Sequence, residues 1–200
     1  MSKLLKSILA SLILFISPAF AELKATGGGS VQVIDLTFEK RMSRGRLNGC
    51  EISYLLGFED YVYRQGAVTA LRGSLNFYGF INAPDKSPAY IFKVTAFDFV
   101  EGQYIPAPLD YAYLSNDKAS LAGREHVVSQ AEDGGLLVGY DALSLADFDL
   151  LGVKAFNVTR AGGSSDVSVP IDLLQINADI YQNFAKCSSE LLDNIIQKLN

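Results

Sequence analysis

The chain holds one histidine, two cysteines and no tryptophan among its 200 residues. These scarcities remove whole classes of chemistry. A transition-metal site needs several nitrogen or sulfur ligands at close spacing. His126, Cys50 and Cys187 stand far apart in sequence and provide no such set, so no metal is expected. The lone imidazole has no recognisable Ser or Cys partner, and His126 reads as an exposed loop residue. Positive charge is also short, with 17 Lys and Arg against 22 Asp and Glu and a net charge of −5. Such a chain lacks the electrostatic footprint of a nucleic-acid binder or a binder of anionic lipid. Its one basic cluster, "EKRMSRGR" from Glu39 to Arg46, lies among Ser and Gly and reads as a solvated loop.

Catalytic motifs are missing too. No Gly-x-Ser-x-Gly elbow is present. The Gly-rich stretches "TGGGS" (Thr26 to Ser30) and "AGGSS" (Ala161 to Ser165) lack the Lys-Ser/Thr ending of a phosphate loop. They read as a flexible lead-in and a hairpin turn. No Asp-x-Asp-x-Asp-Gly calcium loop occurs. Carboxylates at Glu59, Asp60, Asp141, Asp147 and Asp149 are the remaining candidates for acid–base work on sugars. Nothing in their spacing makes a facing pair, and Asp is an ordinary cap and turn residue. The expectation is no catalytic residue, no cofactor and no enzyme.

Long apolar runs are limited to one. Lys3 and Lys6 precede an apolar stretch from Ile8 to Ile16, and Ser17-Pro18 breaks it before Ala19-Phe20-Ala21. A basic start, a short apolar core and an A-x-A-like end make a secretory signal, with cleavage expected after Ala21. The run is too short to span a bilayer. Residues 22–200 then form a single domain, and removing Lys3 and Lys6 moves the net charge from −5 to −7. A periplasmic or secreted location follows, with no stable membrane insertion once the signal is removed.

Most of the domain reads as strands. "VQVIDLTFEKR" alternates at Val31 and Val33, then shifts phase to Ile34, Leu36 and Phe38, as a β-bulge requires. Cys50, Ile52 and Tyr54 share one face, as do Leu71, Leu75 and Phe77, with Gly73 and Gly79 suited to bends or close approach. "NAPDKSP", around Asp85, is turn chemistry. Tyr90, Phe92, Val94 and Ala96 alternate, and the stretch from Ala89 to Leu114 reads as a hairpin. Residues Ser115 to Tyr140 are polar and open to a short helix or a mobile loop. "DALSLADFDLLG" suits a brief helix stopped by Gly152. "VKAFNVTR" and "DVSVPIDLL" flank "AGGSS" as a second hairpin, with Pro170 marking an edge strand or a bulge.

The last segment is helical. Asn177 is the expected N-cap, with Ile176 and Tyr181 at the positions of a hydrophobic staple. Ile180, Phe184, Cys187, Leu191, Ile195 and Leu199 form the stripe, and Leu192 and Ile196 widen it. Cys187 therefore sits mid-helix on the apolar side, away from the exposed, electropositive setting of a reactive thiol. Two cysteines in an exported chain point to one bridge, Cys50–Cys187. The fold class is thus mostly β, an antiparallel sheet or open barrel with a C-terminal helix packed across it.

This layout resembles the N-terminal domain of MotY, the periplasmic T-ring protein of sodium-driven flagellar motors. The resemblance rests on Cys50 in "GCEIS", on "DVSVPIDLLQIN", and on "DIYQNFAKCSSELL" with its Phe184, Cys187 and Leu191. It implies a β-rich domain with a packed helix, the same disulfide, and docking to the flagellar basal body in support of stator assembly. In MotY an OmpA-like peptidoglycan-binding domain follows. This chain stops at Asn200 without one, so a cell-wall anchor is not carried over. The expected function is a non-enzymatic exported scaffold that binds another envelope protein. The alternative is a carrier whose sheet curls around a small apolar ligand or lipid.

Overall fold

The computed structural model describes residues 23–79, 88–145, 148 and 150–199. The expected signal segment, the turn around Asp85, and Asp147 and Asp149 lie outside these residues. Two antiparallel sheets make up the β part, and the larger is not closed into a barrel.

The larger sheet runs β1 (Val31–Ser43), β2 (Arg46–Asp60), β3 (Ala67–Tyr78), β4 (Ala89–Val100), then β8 (Leu136–Asp141) and β7 (Val127–Gln130). A short strand β5 (Gln103–Ala107) pairs with the far half of β4. Alternation decides the faces. Cys50, Ile52, Tyr54, Leu56 and Phe58 of β2 are all buried, as are Leu71, Leu75 and Phe77 of β3 and Phe92, Val94 and Ala96 of β4. The expected bulge lies between Val33 and Asp35. Ile34 is its extra residue and is exposed, while Leu36 and Phe38 pack on the core. The basic cluster is not a loop. It carries the β1–β2 hairpin, whose two-residue turn uses Arg44 at φ 50° and Gly45 at φ 75°. That geometry suits the right-handed twist of the flanking strands. Lys40 and Arg41 are tied to Glu190 and Glu51.

The smaller sheet runs β10 (Asp166–Pro170), β9 (Ala155–Arg160), β6 (Leu109–Ser115). The β9–β10 hairpin and the edge position of Pro170 match the expectation. The Ala89–Leu114 hairpin is cut short. Pro108, which has no N–H for a ladder, separates β5 from β6, and β6 crosses to the other sheet. The space between the sheets is filled with rings. Tyr54 and Phe156 lie 4.6 Å apart between centroids, and Phe92 and Phe156 lie 5.1 Å apart. The Tyr54 hydroxyl donates to Lys93 O at 2.8 Å through the opening above Gly73. Burial pushes the Tyr54 phenol pKa well up.

Residues 115–140 hold no helix. Asn116 caps a turn by accepting from Lys118 N and Ala119 N, and the β7–β8 hairpin follows. Leu136, Val138 and Tyr140 of β8 enter the core. The brief helix expected after it consists of two 3-10 turns, Ala142–Leu145 and Leu150–Gly152.

The "TGGGS" lead-in is a built part of the fold rather than a linker. Thr26 N donates to Ser168 O at 2.9 Å, and Ser168 N donates to the Thr26 hydroxyl at 2.7 Å. Ser30 N donates to the Glu59 carboxylate, so one short segment touches both sheets. Gly29 has no room for a side chain, since a Cβ would lie 2.0 Å from Glu59 O.

A second tie is ionic. Arg160 at the end of β9 donates to Asp98 from both terminal nitrogens, at 2.7 and 2.9 Å, and to Asp60 at 2.8 Å. Asp60 is fully buried and also accepts from Val62 N and Tyr63 N. Thr69 and Arg64 complete the cluster around Asp98. Burial pushes the Asp98 carboxyl up, and the hydrogen bonds from Arg160 and Thr69 outweigh that and hold it below its ordinary value.

Helix α1 (Leu173–Ile176) is one turn, capped by Asp172. Asn177 then starts α2 (Ala178–Leu199), its side chain accepting from Ile180 N at 3.1 Å. Ile176 and Tyr181 both pack on the core, as a staple does. Phe184, Cys187, Leu191 and Ile195 are buried, whereas Leu192 and Ile196 stay exposed. Burying each of the apolar side chains contributes about 2 kcal/mol. The helix lies over β1 and β2, and the Cys50–Cys187 disulfide joins it to the buried face of β2, with Cα atoms 5.9 Å apart.

Candidate functional site

The smaller sheet and α2 share one face of the large sheet. The other face carries the site. Register places its residues in rows across the strands. Asp35, Leu55, Arg72 and Thr95 form one row, and Thr37, Ser53, Ser74 and Lys93 the next. On the opposite side of Arg72 come Gly57, Ala70 and Phe97, then Val68, Phe99 and Tyr104 at the rim. The result is an open groove of about 680 Å3, polar at one end and apolar at the other.

At the apolar end Val68, Phe99 and Tyr104 are 45%, 42% and 59% exposed. The Phe99 and Tyr104 rings lie 5.3 Å apart. Aromatic side chains beside an arginine are the composition enriched in the energetic centres of protein interfaces.

The polar end is largely neutralised internally. Glu51 accepts from Arg41 Nε at 2.7 Å and from the Ser53 hydroxyl at 2.9 Å. Burial pushes the Glu51 carboxyl up, and these two hydrogen bonds outweigh it and lower it. Lys93 Nζ pairs with Asp133 at 2.7 Å, which holds the Asp133 carboxyl below its ordinary value. Arg72 is different. It is exposed and has no hydrogen-bond or ion-pair partner among the described residues. Beside it Ser74 accepts a 2.8 Å hydrogen bond from the Asn76 amide. That bond leaves the Ser74 hydroxyl hydrogen free and the buried Asn76 Oδ1 unpartnered.

The residues singled out from sequence fall elsewhere. Cys50 and Cys187 form the disulfide, and both are fully buried. His126 is exposed and leads into β7. Glu59 and Asp60 adjoin in sequence but do different structural work, Glu59 on Ser30 N and Asp60 in the Arg160 cluster. Asp141 caps the following turn at Leu143 N. Glu59, Asp60 and Asp141 are therefore tied into turns and ion pairs, and sequence reasoning missed the groove. One signal was available. Arg72 is the only charged residue in β3, and it stands in the polar phase of an otherwise apolar and small strand.

Compared with protein-family models, curated proteins and solved structures, the chain matches none. The reading of the site rests on its own geometry.

Proposed function

We propose that this chain is a non-enzymatic, exported interaction domain that docks on another protein of the cell envelope through the outer face of its large sheet. One observation carries the reading: the buried face is packed with rings, while the opposite face exposes an aromatic strip beside an arginine that has no partner among the described residues. A carrier of an apolar ligand needs interior volume. Here Tyr54, Phe92 and Phe156 occupy the space such a ligand would take. The MotY-like layout makes a flagellar-motor assembly one candidate setting.

The disulfide supports export, since exported compartments are oxidising. Cleavage after Ala21 is compatible with the fold, whose described backbone bonding starts with Leu23 O accepting from Val31 N. A membrane anchor is not needed to explain the described helices, none of which is long and apolar enough to span a bilayer.

The test places a photo-crosslinking amino acid at Tyr104 or, as a control, at Lys118 in the exposed loop after β6. A discrete adduct with an envelope protein is expected from Tyr104 only. Identical adducts from both positions, or none, would overturn the reading. Mature protein recovered from the envelope should begin at Glu22, and a cytosolic chain beginning at Met1 would rule out export.

A further inference from the structure

We infer that the groove on the outer face captures the terminal carboxylate of an apolar peptide end. The inference rests on the docking face proposed above and names what the partner brings to it.

Three donors converge by register. Arg72 and Ser74 are two residues apart on β3 and so project from the same face. Lys93 stands directly across from Ser74 on β4. The Arg72 guanidinium carries five N–H donors in a fork that fits a carboxylate, and none is used by a described residue. Because Asn76 donates to Ser74, the Ser74 hydroxyl is left to donate to an incoming group. Lys93 Nζ spends one bond on Asp133 and keeps two N–H groups.

Charge selects the anion. Asp35, Glu51 and Asp133 line the same groove. Glu51 is paired with Arg41 and Asp133 with Lys93, so Arg72 is the groove's one cation without a partner among the described residues, and it matches a single negative charge better than a phosphate dianion. Asymmetry selects a chain end. The apolar surface of Ala70, Phe97 and Tyr104 lies on one side of Arg72 only, and Ser53, Ser74 and Glu51 lie on the other. An acidic residue in the middle of an apolar segment would push its following residues onto those polar groups. A terminal carboxylate at Arg72 lets the apolar residues run back over Phe97 toward Tyr104 and ends where the polar surface begins.

The probes are acetyl-Gly-Leu-Leu-Phe with a free carboxylate, the same peptide as its C-terminal amide, and octanoate as a lipid-type carboxylate. Each is titrated into the 15N-labelled, disulfide-intact protein. The free acid should shift the Arg72 Nε–Hε signal together with the amides of Ala70 and Phe97. The amide should bind roughly tenfold more weakly, as expected for loss of charge-assisted hydrogen bonds. Arg72→Gln, a change at an exposed side chain, should retain the dispersed spectrum and bind acid and amide alike. Equal affinity for acid and amide, octanoate matching the peptide, shifts confined to other surfaces, or no shift up to about 5 mM peptide would each overturn the inference. A Tyr104 crosslink in the envelope without peptide binding would sink only the carboxylate chemistry and leave the docking face standing.

Discussion

Replacing Arg160 with Leu tests the ionic tie between the sheets. The guanidinium contacts Asp60, Asp98 and Thr69 at 2.7 to 2.9 Å and is itself mostly buried. Its removal leaves the fully buried Asp60 carboxylate with two backbone N–H groups and no counter-charge. Breaking one partner of a buried pair costs about 3–5 kcal/mol, because the remaining charge stays out of water. Against a net stability of about 5–15 kcal/mol, that is a large fraction. Urea unfolding at pH 7, followed by far-UV circular dichroism, measures it. The sign of the pH dependence follows from Asp98, whose folded-state pKa is depressed. A depressed carboxylate adds stability above its unfolded pKa of about 3.9 and loses it as pH falls through the folded value. The Leu variant keeps Thr69 and Arg64 on Asp98 but has lost Arg160's share of that contribution. Its deficit relative to the parent is therefore greatest above about pH 5 and shrinks toward pH 3. A deficit below about 1 kcal/mol at pH 7, or one that stays constant with pH, would refute the assignment of Arg160 as the counter-charge of this cluster.

Two further changes probe the packing. Cys187→Ser opens a loop of 137 residues and should lose about 5 kcal/mol in the chain-entropy estimate, read as a lower urea midpoint; an unchanged midpoint would mean the bridge contributes nothing to stability. Gly73→Ala would set a Cβ 1.9 Å from Lys93 O and 2.7 Å from the Tyr54 hydroxyl, so a loss of at least about 1–3 kcal/mol is expected in the same assay; wild-type stability would show that the two strands separate freely there.

How far the fold could be read in advance depended on whether a segment's partners were local. On β2, β3 and β4 the alternation of Cys50, Ile52, Tyr54 or Phe92, Val94, Ala96 reports burial directly, because a half-buried strand alternates whatever lies above it. The α2 stripe and its Asn177 cap are legible for the same reason. The β7–β8 hairpin was hidden because Val127 to Gln130 is exposed throughout and shows no alternation of burial. The lead-in at Thr26 was misread because Gly-rich composition fits both a linker and a close approach. Only its partners Ser168 and Glu59 distinguish the two. The groove is the extreme case. Arg72, Ser74 and Lys93 are ordinary polar positions on two strands, and only the registers of β3 and β4 bring them side by side.

The disulfide has a consequence for the order of events in biogenesis. Cys50 emerges early and must wait for 137 further residues before its partner exists. With two cysteines in the chain, only one intramolecular pairing is possible, so oxidation needs an electron acceptor but no proofreading of alternatives. Until Cys187 arrives, α2 cannot be locked onto the sheet. The chain thus stays unsealed until α2 has been made, and the covalent closure follows the strands of both sheets.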